Sequence, residues 1–172
     1  MGSTRNLKAQ PAIEKVKELS EDAKLCMFCT NLSRQPFNTR PMATQEVEDD
    51  GTIWFFSPAD STKNAEISKD NHVQLIYSNR SSSEFLSLYG KADIVRDTNK
   101  AKELWNMFLT TWFHEGPDDP NLTLIRFTPT EGHYWDTKNN KMVQSLKIVL
   151  GAIQGRMMDD GVDGLNSHLR SF

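Results

Sequence analysis

Asn38-Thr-Arg-Pro-Met-Ala-Thr44, followed by Asp49-Asp-Gly-Thr-Ile-Trp-Phe-Phe-Ser-Pro-Ala-Asp-Ser-Thr-Lys63, decides how this chain folds. Two strand-like runs, 37–47 and 52–57, flank Asp50-Gly51, a dipeptide that favours a two-residue hairpin turn with positive φ at both central positions. With those two residues as the loop, Arg40 falls opposite Ser61, where a short helix over 61–69 is expected to begin. A guanidinium then stands beside a helix N-terminus that also carries the Ser61 and Thr62 hydroxyls and the Lys63 ammonium. First-turn N–H groups, hydroxyls, a guanidinium fork and an ammonium all donate to a phosphate monoester. The same residues also suit an ordinary N-cap flanked by two solvated cations. Spacing leaves both readings open.

Working outward, strand-like runs recur at 24–32, 72–78 and 84–95, and 122–128 with 131–136 gives one or two more. An amphipathic helix is expected over 11–23, with Pro11 in its first turn and Ile13, Val16, Leu19 and Ala23 at helical spacing. A second helix is expected over about 98–112, capped by Asp97 or Thr98 and burying Ala101, Leu104, Trp105, Phe108 and Trp112. Met142, Leu146, Val149, Leu150 and Ile153 place an apolar stripe on a C-terminal helix. Many strands, short turns and few helices predict a mainly β fold, an antiparallel sheet that closes into a barrel. No Gly-rich phosphate loop occurs.

The 172 residues suit one domain, read as a flexible N-terminus over 1–10, the barrel over 11–154 and a polar, mobile tail over 155–172. Twenty Lys+Arg against 23 Asp+Glu leave a net charge of −3, which argues against duplex nucleic acid as a partner. No run approaches the roughly 20 apolar residues of a membrane helix. The expected compartment is the cytoplasm. Cys26 and Cys29 form a C-x-x-C within a strand-like run, where positions i and i+3 point to opposite faces, so they read as buried structural thiols. His72, His114, His133 and His168 are too scattered to complete a zinc site with them.

Taken together, R-P-M-A-T and D-G-T-I-W-F-F-S-P-x-x-S-x-K resemble the flavin-binding split-barrel superfamily of pyridoxamine-phosphate oxidase. Within it the chain is most similar to the bacterial general stress proteins of pyridoxamine-oxidase-like type. Leu88-Tyr-Gly-Lys-Ala92, Trp112-Phe-His-Glu-Gly-Pro-Asp-Asp-Pro120, Leu124-Ile-Arg-Phe127 and Tyr134-Trp-Asp136 continue the match in order, over about 11–153.

The resemblance implies an FMN-binding split barrel, FMN rather than FAD, and a homodimer with the cofactor sites at its interface. By position, Arg40, Ser61, Thr62 and Lys63 match the phosphate-binding residues, although family enzymes often carry Arg where Thr62 stands. Pro41, Met42 and Ala43 match the strand along the isoalloxazine, and Phe56 and Ser57 the strand whose backbone and hydroxyl meet its polar edge. Trp112 is either a contact to the flavin of a partner subunit or part of a core stripe with Trp105. Ile53, Phe55, Leu75, Ile76, Leu86 and Leu88, with four tryptophans, are expected to leave apolar surface for a second copy. The implied function is a general stress protein with flavin-dependent oxidoreductase activity on an unknown substrate. A non-enzymatic flavin carrier and a cofactor-free dimeric scaffold are the alternatives. The W-x-x-R-L-x-P segment that grips substrate phosphate in true pyridoxamine-phosphate oxidases has no counterpart here, so that activity is not expected.

Overall fold

The computed structural model describes residues 7–136 and 141–147, with side chains over 10–135. In chain order the elements are β1 (Leu7–Lys8), α1 (Ala9–Ala23), β2 (Leu25–Thr30), β3 (Asn38–Ala43), β4 (Glu46–Val47), β5 (Ile53–Pro58) and α2 (Thr62–Lys69). β6 (His72–Asn79), β7 (Glu84–Val95), α3 (Thr98–Leu104), β8 (Leu122–Asp136) and β9 (Lys141–Lys147) follow. The sheet runs β1-β9-β8-β7-β6-β2-β3, with β5 also on β8 and β4 on β5. Every pairing is antiparallel except β1 with β9. The mainly β, split antiparallel barrel expected from the sequence is the fold of the chain.

The barrel closes through one segment that changes partners. Residues 38–43 pair with β2, Arg40 opposite Phe28, whereas Glu46 and Val47 pair with Trp54 and Ile53 of β5. The change falls between neighbouring amides: Thr44 N–H donates to Lys24 O at 2.8 Å and Gln45 N–H to Trp54 O at 2.9 Å. The hairpin loop is also one residue longer than a two-residue turn, with Gly51 at φ +89° donating its N–H to Glu48 O. These two facts correct the sequence expectation. The run 37–47 is two short strands, and Arg40, on β3, lies opposite Phe28 of β2 rather than opposite Ser61. Lys100 of α3 fastens the closed side, reaching Glu46 at 2.5 Å and Glu48 at 3.1 Å while its ammonium lies over the Trp54 ring. Burial disfavours its charge, but hydrogen bonds to Glu46, Glu48 and Glu103 outweigh that and hold its pKa above the ordinary lysine value.

Strand β5 explains its own sequence. The unbroken run Ile53-Trp-Phe-Phe-Ser57 is buried on both faces, as continuous apolar strands are. Ile53 and Phe55 enter the main core with Phe28, Leu75, Leu88, Phe127 and Val16 of α1; Phe28 and Phe55 meet edge to face at 5.3 Å. Trp54 and Phe56 enter a second core with Ala101, Leu109, Phe113 and Leu124. At the β7–β8 bulge, a Cβ on Gly90 would run into the Thr128 carbonyl, so only glycine fits there.

Three further expectations change. The helix over 98–112 stops at Leu104, because Asn106 opens a new 3-10 turn over Met107–Thr111 by accepting from the Phe108 amide at 3.2 Å. That break turns Leu109 and Phe113 inward and leaves Phe108 and Trp112 at 82% and 63% exposure. Residues 122–136 are one strand. Met142 and Leu146 belong to strand β9, not a helix, because the long β8 offers an edge for residues 141–147 to pair with. Val149, Leu150 and Ile153 lie outside the described residues, as do 1–6 and the tail over 155–172.

Removing the edge-to-face ring at the centre of the main core should be costly. Phe28→Ala is expected to lower unfolding free energy by about 3–5 kcal/mol, read from urea transitions.

Candidate functional site

The site grows from the start of α2. Ser61 is its N-cap, with extended backbone and a hydroxyl that accepts from the Asn64 amide. Asn64 is buried and binds both ways: its carbonyl accepts from the Ser57 hydroxyl at 2.6 Å, and its amide donates to Thr123 Oγ1 at 2.9 Å. Thr123 donates in turn to the Ser57 carbonyl at 2.6 Å. This chain of bonds anchors the first turn of α2 to β5 and β8. The Thr62 and Lys63 amides have no intrahelical acceptor at that position.

A second buried network holds the other side of α2. Glu66 accepts from Thr30 of β2 at 2.5 Å, Asn38 of β3 at 2.5 Å and Arg40 of β3 at 2.9 Å. Arg40 also donates to Thr30 Oγ1 at 2.9 Å. Burial opposes the Glu66 charge, but the three donors and the guanidinium charge outweigh it and hold its carboxyl below the usual range. Lys63 is the opposite case. Burial first, and then the positive charge of Arg40, push its ammonium below the ordinary lysine pKa; Asp60 counters only in part. Among the described residues no carboxylate lies within ion-pair distance of Lys63, although Arg40 has Glu66.

Between β3 and β5 the barrel is split. They approach each other, yet β3 pairs only with β2, and on the β4 side β5 pairs only at Ile53 and Trp54. Residues 38–43 and 55–58 therefore turn unpaired backbone edges toward this gap, with the α2 N-terminus following directly from β5. An edge strand carrying Pro41 accords with its outer ladder being unused.

The structure brings Arg40, Ser61, Thr62 and Lys63 to one end of the split, though by a different pairing from that read in the sequence. Pro41 and Ala43 lie exposed on the outer face, while Met42 turns inward with Arg40. Phe56 packs in the second core against Trp105 and Phe113, and Ser57 is fully covered with its hydroxyl spent on Asn64, so β5 offers its backbone. Trp112 stands in solvent beside neither core, so the stripe it was read to share with Trp105 does not form. Asn64, Glu66, Thr30 and Asn38 escaped the sequence reading. Asn64 carried a signal, being a polar residue three positions before Ile67 on the sheet-facing side of α2. The cysteines are both buried and free; Cys26 lies on the core face beside Tyr77, and burial pushes its thiol up to about 12.

A curled antiparallel sheet, split beside a helix N-terminus, defines the split-barrel class. The model of the pyridoxamine 5'-phosphate oxidase like family matches residues 11–159, and the chain belongs to that family. It is 26% identical over 159 residues to protein bli-3 of Neurospora crassa, covering 85% of this chain and 76% of that one. Among solved structures it is similar to a Clostridium acetobutylicum protein related to general stress protein 26 of B. subtilis, with TM-score 0.67 and 22% identity. That match covers 81% of this chain and 96% of the other. It is also similar to the general stress FMN/FAD binding protein of Xanthomonas citri, with TM-score 0.62, 23% identity and coverage of 91% and 97%.

A half-buried ammonium beside a guanidinium, with no ion-pair partner among the described residues, is a liability to the stability of the chain. Lys63→Met keeps most of the stem and removes the repulsion, so it should raise stability near pH 7 by about 0.5 kcal/mol. Lowering the folded-state pKa of a lysine costs stability wherever the group is charged, and the cost fades as pH rises from that lowered value to the unfolded one. The gain from Lys63→Met should therefore vanish above about pH 10.5 in urea unfolding.

Proposed function

We propose that the chain binds FMN, with its phosphate against Arg40, Lys63 and the first turn of α2 and its isoalloxazine along the unpaired edges of β3 and β5. The observation that carries this reading is the Lys63 ammonium, half-buried beside Arg40 and without an ion-pair partner among the described residues. A dianion relieves that arrangement; a neutral ligand does not. The planar ring has a polar edge that suits backbone donors and acceptors left without a ladder. A terminal monoester fits one helix start better than the internal diphosphate of FAD, which also needs room for an adenylate. Bound FMN supplies the redox chemistry, and the protein supplies orientation and electrostatics. The similarity to a general stress FMN/FAD binding protein supports the flavin class.

The second part of the proposal is a homodimer. Ile53, Phe55, Leu75, Leu86 and Leu88 are at most 1% exposed within one chain, so they are not the surface a partner covers. The exposed apolar residues lie elsewhere. Leu25, Met27 and Ile76 share the outer face, with Met27 paired to Ile76 on one side and to Pro41 on the other. Phe85 and Trp135 are a cross-strand pair and are also exposed. We assign this face to a second copy, because it runs directly into Pro41 and Ala43 at the split, where a partner would complete the pocket.

Fluorescence titration with FMN, FAD and riboflavin tests the ligand. FMN should bind tightest, and Lys63→Ala should weaken it by about 1.5–3 kcal/mol, roughly ten- to a hundredfold, while riboflavin is unaffected. Tighter binding of FAD would sink the assignment. Arg40→Ala is a poorer test, because it strands the buried Glu66 carboxylate and costs fold stability as well.

Sedimentation velocity tests the dimer. Wild type should sediment as a dimer at micromolar concentration, and Ile76→Asp, which a twofold interface applies twice, should give monomer.

A further inference from the structure

Glu66 is out of place in a site built for an anion. Its carboxylate is buried, sits one helical turn beyond Lys63 and is bonded to Arg40 at 2.9 Å. Every polar contact it makes comes from within the chain: the Thr30 hydroxyl, the Asn38 amide and the Arg40 guanidinium. Arg40 spends one N–H on Glu66 and one on Thr30. A guanidinium has five donors, so three remain, divided between edges of its plane, and a ligand on one edge can take up to two of them. Phosphate and carboxylate therefore do not compete for the same hydrogen atoms. They compete through charge.

We propose that Glu66 is the resident counter-ion of the Arg40–Lys63 pair, setting how tightly the site holds a phosphate dianion and keeping that ligand exchangeable. This rests on the FMN reading above and extends it to the regulation of affinity. Without Glu66, two cations would face a half-buried space with no anion, and the ligand-free chain would carry the full repulsion. With it, the three groups sum to one positive charge, and part of the attraction for a dianion is cancelled in advance. A carboxylate placed beyond the guanidinium lies some 7 Å from a phosphate on its near side. With screening close to that of bulk water, repulsion of a dianion over that distance amounts to about tenfold in affinity.

The test compares FMN and riboflavin binding to wild type, Glu66→Gln and Glu66→Asp by flavin fluorescence quenching. Gln keeps the size and an acceptor oxygen for Arg40 and Thr30, and a turned Asn38 amide accepts from its new NH2 group. Glu66→Gln should bind FMN about tenfold more tightly, through slower dissociation, with riboflavin affinity unchanged. Its ligand-free form should melt lower than wild type. Glu66→Asp, which keeps the charge, should show no tightening. Glu66→Met, uncharged and of similar length, is the second variant should the amide fail to fold, and it must shift FMN affinity in the same direction. Unchanged or weaker FMN binding by the uncharged variants overturns the proposal and makes Glu66 a positioning residue. Equal tightening of FMN and riboflavin also overturns it. If wild type itself shows no preference for FMN over riboflavin, the phosphate site fails, and this inference fails with it.

Discussion

The exchange of partners within residues 38–47 is the constraint on which the rest of the molecule depends. One stretch of chain ties β2 to β5, and it does so with the amides of Thr44 and Gln45 pointing to different strands. Because only Glu46 and Val47 pair with β5, the barrel closes at one end and stays open at the other. The open end places β3 across from the chain leaving β5, and that chain turns at once into α2. A longer β4–β5 ladder would zip the split shut and cover the backbone edges that now face it. Lys100 and its three carboxylates guard the closed end and have no counterpart among the described residues at the open one.

Two buried polar networks carry the open end in place of a ladder. Ser57, Asn64 and Thr123 hold α2 to β5 and β8, and Glu66 holds it to β2 and β3. The buried side-chain atoms of both networks all find partners, which is when such networks are worth most. Lys63, at the position where α2 offers free amides, has no ion-pair partner among the described residues. If the proposed phosphate site is right, that imbalance is the expected cost of groups arranged for an anion, which repel each other in its absence.

Much of this was legible in the sequence, for reasons that can be named. β5 declares itself by an apolar run too short for a helix and bounded by Gly51 and Pro58, and α2 by Ser61 as cap. The closeness of Arg40 to Ser61, Thr62 and Lys63 was legible because a strand and the helix that follows its hairpin partner must lie side by side. Register was not legible. Asp50-Gly51 fits loops of two or three residues, and the one-residue difference moves every pair; the change of partner at Thr44 has no local signature at all. Phe108 and Trp112 keep perfect helical spacing with Ala101, but Asn106 offers the backbone a competing cap, and that local bond outweighed the pattern. Glu66 was missed because a glutamate in an exposed-looking helix is ordinarily solvated. Its bonds also require Thr30 of β2, a strand outside the hairpin whose place beside β3 no local pattern fixes.

Cys26 and Cys29 give the fold an internal clock. Both are 2% exposed, and they look to opposite faces of β2, the strand between β3 and β6. A thiol reagent reaches them only when the packing over the corresponding face of β2 opens. Cys29 touches Thr39 of β3, on the side of the split, whereas Cys26 packs in the main core beside Tyr77. Their labelling rates thus separate two kinds of opening that an optical melt would merge: loosening of the β3 flap, and collapse of the barrel as a whole.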